Sequence, residues 1–171
     1  AGDGRFYKGI KSLKEVNPNT HTELFAKIGL SYPYNEYRAT WKMGGQPLVQ
    51  RLHDKSHDWE DLKKLIPHML LEGIMGYPFS CPDMIGGGQF TSFLDDAPID
   101  QELVVRSTQV HALMPMMQFS VAPWRILDKR HFNAVLDAVN LREKFKETIL
   151  TLAKKASANG EPIVRSMEYV F

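Results

Sequence analysis

A single cysteine, Cys81, occurs in the 171 residues, so the chain can form neither an internal disulfide nor a cysteine zinc cluster. Cys81 reads as a small buried apolar residue. There is no uncharged apolar run of about 18 residues, and AGDGRFYKG lacks the apolar centre of a signal peptide, so no membrane contact is expected from this segment. An excess of one charge sign is also missing. With 21 Lys and Arg against 20 Asp and Glu, nothing draws the chain to nucleic acid or another polyanion. The lysines at 8, 11, 14 and from 144 to 155 read as solvated faces. What is present is a hydrophobic share of 43%, enough for a sizeable core in one domain or part of a larger one. The chain opens in what reads as a loop and stops at MEYVF in a strand-like pattern, which gives the expectation of a fragment.

Short apolar runs alternate with helical patterns. THTELFAKIGL (Thr20 to Leu30) is expected to be a helix capped by Thr20, with Leu24, Phe25, Ile28 and Leu30 as its apolar residues. EYRATW (Glu36 to Trp41) and PLVQRL (Pro47 to Leu52) read as strands separated by a Gly-Gly-Gln-Pro loop. The run from Trp59 to Gly73 reads as an amphipathic helix kinked at Pro67. YPFSCPDM (Tyr77 to Met84) is a third short run. DQELVVRSTQVHALM (Asp100 to Met114) is a helix capped by Asp100, PMMQFSV is a fourth strand, and Asn133 to Gly160 is one long helix or two. Four strands with three helical crossovers give an α/β class, either about half of an eight-fold barrel or a small doubly wound sheet.

Parallel α/β folds gather the carboxyl ends of their strands at one mouth, where Arg38, Asp54, Asp83, Gln118 and Ser120 could line a single pocket. Within RLHDKSHDW, His53 and His57 stand four apart, a spacing that suits metal ligation. They lie before the helix and lack a third ligand at a matching offset, so His57 and Asp58 read instead as helix capping. Asp54 ends an apolar strand. It is either structural or an acid whose pKa rises in a partly desolvated mouth. The glycines 86 to 88 lack the Lys-Ser/Thr of a phosphate loop and read as a place of close backbone approach. MPMMQFSVAPW is a ligand-facing wall or, more simply, core. Trp41 and Trp124 are structural or stack on a sugar ring.

Taken in order, NEYRATWKMGGQPLVQRLHDK, WEDLKKLIPHML, MGYPFSCPDMIGGG, ELVVR, ALMPMMQFSVAPWR and GEPIVR resemble glycoside hydrolase family 31, within it a narrower branch with bacterial members. The resemblance runs over essentially the whole chain. It implies the C-terminal half of a (β/α)8 TIM barrel, strands five to eight with their helices, over residues 1–160, and the start of a following β domain over 161–171. It also implies a retaining α-glycosidase acting on terminal α-linked glucose or galactose, needing no cofactor and no metal, with an α-glycoside substrate and the rest of the parent barrel as partners.

On that resemblance Asp54 takes the acid/base position, written His-Asp-Lys here where other members write Gly-Asp-Asn. Arg38, Asp83, Asp3, Ser120 and Trp124 become substrate-binding or supporting residues. Ser120 stands where many members carry a His. The nucleophilic Asp would precede Ala1, so the isolated chain is expected to be inactive. Two readings of other classes stand beside this one: a noncatalytic carbohydrate-binding or interaction domain indifferent to Asp54, and a metal-dependent hydrolase needing His53 and His57.

Overall fold

A computed structural model of the chain describes residues 11, 13–88, 90–93 and 98–171. Asp3 and Lys8 lie outside the described residues. Helix α1 (Pro18–Gly29) starts earlier than expected, because Asn17 rather than Thr20 is its cap: the Asn17 side chain accepts from the Thr20 N–H at 2.9 Å, and Pro18 opens the first turn. The helix also buries a different face from the one its apolar residues suggest. Thr22, Ala26 and Gly29 are buried, whereas Leu24, Phe25 and Ile28 are exposed. The small face is required because the Tyr37 hydroxyl occupies the space where a side chain at position 29 would begin.

Strands β1 (Glu36–Tyr37), β2 (Val49–Arg51) and β3 (Ser80–Cys81) form one parallel sheet in that order, and β4 (Met84–Ile85) pairs in parallel with β5 (Gln118–Phe119). Between β3 and β4 the chain turns at Asp83, whose φ of +73° is left-handed. Within each sheet the order of the described strands follows the chain, as it does throughout a barrel arc. Helix α2 (Trp59–Ile74), capped by Asp58, connects β2 to β3 and runs through Pro67. Helix α3 (Gln101–His111), capped by Asp100 as expected, connects β4 to β5. The crossover from β1 to β2 contains no helix, so two helical crossovers replace the expected three. The strand expected over Glu36 to Trp41 stops at Tyr37, because the chain turns away at Arg38.

Helix α4 (Lys129–Asn159) is one continuous helix that starts on an Asp128 cap and stops at Gly160. Its Arg142 donates to the carbonyls of Ala112, Met114 and Pro115, holding the turn that leads from α3 into β5. The end of the chain differs from the strand pattern of MEYVF: Met167–Val170 forms the short helix α5.

Alternation along the strands separates two environments. On one face Tyr37 joins Ala26, Met43, Leu48 and Tyr77 in a core, and Gln50 accepts from the Thr40 hydroxyl at 2.7 Å. A second core of Leu52, Leu65, Met69 and Met114 fixes α2 to β2, so Met114 packs as core rather than as a ligand wall. The other face carries Glu36, Val49, Arg51, Phe79 and Cys81. Cys81 is fully buried, and burial pushes its thiol up to about 12, as suits an inert core residue.

One buried carboxyl makes stability depend on pH. Glu72 on α2 is buried, its Oε2 has no hydrogen-bond partner among the described residues, and burial raises its pKa to about 8. A carboxyl whose folded pKa is raised binds its proton more tightly in the folded state, so its stabilisation is full below the unfolded value and is lost as pH rises toward about 8. Buried His111, lowered to about 4 by burial, has the opposite slope between its folded value and 6.5. The two nearly cancel in mildly acidic solution, which leaves a net fall from about 6.5 to 8. Glu72→Gln is expected to flatten that fall, by on the order of a few kcal/mol, in urea unfolding curves measured across pH 5 to 8.5.

Candidate active site

The site is built where the strands end. Arg38 follows β1, Asp54 lies three residues beyond β2, and Asp83 sits at the turn between β3 and β4. Arg38 Nη1 donates to Asp54 Oδ2 at 2.5 Å, and Arg51 Nη2 donates to Asp54 Oδ1 at 3.0 Å, so each carboxylate oxygen has its own arginine. The Asp54 side chain remains 46% exposed. Hydrogen bonding from Arg38 holds its carboxyl below the usual carboxylate range. Partial burial pulls upward, and Arg51 adds to the lowering. The expected rise in the Asp54 pKa is therefore overturned in this arrangement: two guanidinium groups outweigh the desolvation of the mouth.

Asp83 is fully buried, and both its oxygens are taken. Arg51 Nη1 donates to Oδ1, and the Lys55 backbone N–H donates to Oδ2 at 2.7 Å. A left-handed backbone is uncommon outside glycine, and here it is fixed by these bonds together with the approach of His111 Nε2 to the Asp83 carbonyl at 3.2 Å. The residue expected to touch substrate is thus seated beneath the mouth as a brace. Arg51 Nε also lies 3.5 Å from Glu36 Oε1, and Gln118 Nε2 donates to Glu36 Oε2 at 2.7 Å. Glu36, Arg51, Asp83 and Gln118 thus form a polar layer linked by hydrogen bonds and one ion pair, and Arg51 joins it to Asp54. Toward the amino ends of the strands, Val49, Phe79 and Met116 line an open apolar depression of about 640 Å³.

The glycines act as expected, by close approach. Gly88 N–H donates to the Lys55 carbonyl at 3.2 Å, and a Cβ at 88 would lie 2.6 Å from the Asp54 Cβ. At Gly87 the backbone is left-handed (φ +62°), and a Cβ would lie 2.2 Å from the Lys55 carbonyl oxygen. Gly87→Ala is expected to cost roughly 1–3 kcal/mol in denaturant unfolding, since neither the backbone nor the facing carbonyl can yield cheaply. Ser120 donates to the Ile85 carbonyl at 2.8 Å and stands against Gly86, bracing β4 on β5. Trp124 is largely exposed in the turn Pro123–Arg125. Asp3 lies outside the described residues.

The two histidines go to different neighbours. The His53 ring lies 5.9 Å from that of His68, and the His57 ring lies 4.9 Å from Phe93. Asp58 caps α2 as expected, whereas the His57 ring packs on Phe93. Among the described residues no group of three or more His, Cys, Asp and Glu is gathered as metal ligands. Sequence reasoning placed Gln118 at the mouth but passed over Arg51 and Glu36, the partners it joins. The available signal was Arg51 itself, a charge inside a short apolar strand, which must find a buried partner.

A parallel α/β unit whose strand ends present an arginine-clamped carboxylate is the class of protein that the fold and site define. Residues 31–152 match the TIM-barrel domain of glycosyl hydrolases family 31. The chain is 37% identical to the myogenesis-regulating glycosidase of Mus musculus over 70% of its own length and 18% of that protein's. It is 32% identical to the SITS-binding protein of Tetronarce californica, over 72% of this chain and 18% of the relative. To the alpha-glucosidase of Saccharolobus solfataricus it is also 32% identical, over 85% of this chain and 24% of the relative. The chain belongs to glycoside hydrolase family 31, and it spans about a fifth of the length of these relatives.

Proposed function

We propose that this segment is the second half of the catalytic barrel of a retaining α-glycosidase that hydrolyses terminal α-linked glucose or galactose, with Asp54 as its general acid and base. The observation that carries the reading is Asp54 held between Arg38 and Arg51 at the carboxyl ends of parallel strands. In double displacement, an acid protonates the glycosidic oxygen while a second carboxylate, about 5 to 5.5 Å away, attacks the anomeric carbon. The first residue then deprotonates water. The family resemblance implies that the attacking carboxylate comes from outside this segment, in the first half of the barrel, and among the described carboxylates near Asp54 both Asp83 and Glu36 are committed to Arg51. Arg38 turns from Asp54 to the sugar hydroxyls and orients the ring by charge-assisted hydrogen bonds. Its departure removes the strongest influence lowering the Asp54 pKa and lets that carboxyl carry the proton it must deliver.

The open apolar depression and the exposed Leu24, Phe25, Ile28, Ile66 and Ile74 support a larger body completing this one. Residues 161–171 lead into the following domain, with Pro162 and Val164 packed against Gly73 at the end of α2. The test compares the purified 171-residue chain with the full-length protein that carries it, on 4-nitrophenyl α-glucoside and α-galactoside. The full-length protein is expected to release nitrophenol and the isolated chain to release none. Turnover by the isolated chain would overturn the need for a second carboxylate from elsewhere.

A further inference from the structure

The polar layer joined to Asp54 contains one cation to which the reaction scheme gives no part. Arg51 sends its three guanidinium nitrogens to three carboxylates: Nη1 to Asp83, Nη2 to Asp54 at 3.0 Å and Nε toward Glu36 at 3.5 Å. Its side chain is 9% exposed. Its outer partners are themselves tied down, Asp83 by the Lys55 N–H and Glu36 by Gln118. Arg38 differs in each respect. Its side chain is 27% exposed, and the proposed mechanism gives it the sugar as a second partner.

We propose that Arg51 is the positioning residue of Asp54, the fixed guanidinium that keeps this carboxylate aimed at the glycosidic oxygen while Arg38, the exchangeable one, moves to the substrate. A bidentate-capable fork can grip Asp83 and Asp54 at once, which a lysine ammonium cannot reproduce with the same geometry. Among the described residues, the charged groups facing Asp54 are Arg38 from the end of β1 and Arg51 from β2, and the titratable His53 lies next to it in the chain and feels its charge. Gly88 approaches it with backbone alone, and Asp83 and Glu36 lie behind Arg51. The consequence for turnover rests on the glycosidase reading; the anchoring itself does not.

The experiment uses the full-length protein and two readouts. The first is ¹³C carboxyl NMR titration of Asp54, assigned by its loss in Asp54→Asn. The second is the separation of kcat from KM on nitrophenyl α-glycosides. The variants are Arg51→Lys, the double variant Arg51→Met/Asp83→Asn, which leaves no buried charge behind, and Arg38→Met. The double variant is expected to raise the Asp54 titration by about one unit and to move the basic limb of the pH profile upward with it. It is also expected to lower kcat at least tenfold with KM nearly unchanged. Arg51→Lys is expected to fall between it and the wild type in kcat, and Arg38→Met to raise KM. The proposal is overturned if the double variant leaves the Asp54 titration where it was, or raises KM as Arg38→Met does. A moved titration in a protein that hydrolyses no nitrophenyl α-glycoside would keep the anchor and remove the glycosidase reading. An unmoved titration in an active enzyme would do the reverse.

Discussion

Replacing Asp54 by Asn in the full-length protein is expected to lower kcat/KM on an alkyl α-glycoside by about 10²- to 10⁴-fold, the range that a positioned general acid contributes. The loss is expected to be much smaller on a dinitrophenyl α-glycoside, whose leaving group departs without a proton. The difference between the two substrates reports on acid catalysis itself, because misfolding or lost sugar binding would depress both alike. Asn is close to Asp in shape, but its single oxygen can accept from only one of Arg38 and Arg51 and its NH2 faces the other, so one arm of the clamp survives the substitution while the transferable proton does not. Equal losses on the two substrates would show that Asp54 supports the site without delivering a proton.

Removing Arg51 alone should have the largest effect on stability. Arg51→Met leaves the Asp83 carboxylate fully buried with one backbone N–H as its remaining described hydrogen-bond donor, and stranding one partner of a buried ion pair costs about 3–5 kcal/mol. Replacing both residues, as Arg51→Met/Asp83→Asn, is expected to recover most of that loss, because no fully buried charge is then stranded and Glu36, which loses Arg51, is 30% exposed and keeps the bond from Gln118. Urea unfolding of the wild type, the two single variants and the double variant closes the cycle, with a coupling of several kcal/mol expected. Additive losses would mean that the Arg51–Asp83 contact carries little of the stability of the layer.

The order of elements was legible in the sequence because it depends on local signals. Asp58 and Asp100 cap helices as expected, and the apolar runs fall where the strands are, whereas Asp128 starts α4 at Lys129, ahead of the expected Asn133. Arg38, Asp54 and Asp83 were expected at strand ends and do lie there. What local pattern could not convey was partnership. Leu24, Phe25 and Ile28 suggest the buried face of α1, yet the closeness of Tyr37 selects Ala26 and Gly29 instead. Asp54 at the end of an apolar strand suggests a raised pKa, but two guanidinium groups lower it, one of them sixteen residues away in sequence. Asp83 looks like a mouth residue until its carboxylate is seen bound by Arg51 and the Lys55 backbone. In each case the deciding contact joins separate elements.

The most direct test of the central claim, that Asp54 is the acid and base of a retaining α-glycosidase, is the product formed when azide is supplied to the Asp54→Ala variant of the full-length protein with a dinitrophenyl α-glycoside. Without its base, the glycosyl-enzyme cannot activate water, whereas azide needs no activation and attacks from the face that Asp54 occupied. The account predicts that azide restores turnover and that the product is the α-glycosyl azide. A β-glycosyl azide would place Asp54 as the nucleophile. Turnover by the variant at the wild-type rate, with no azide product, would contradict its role in the reaction.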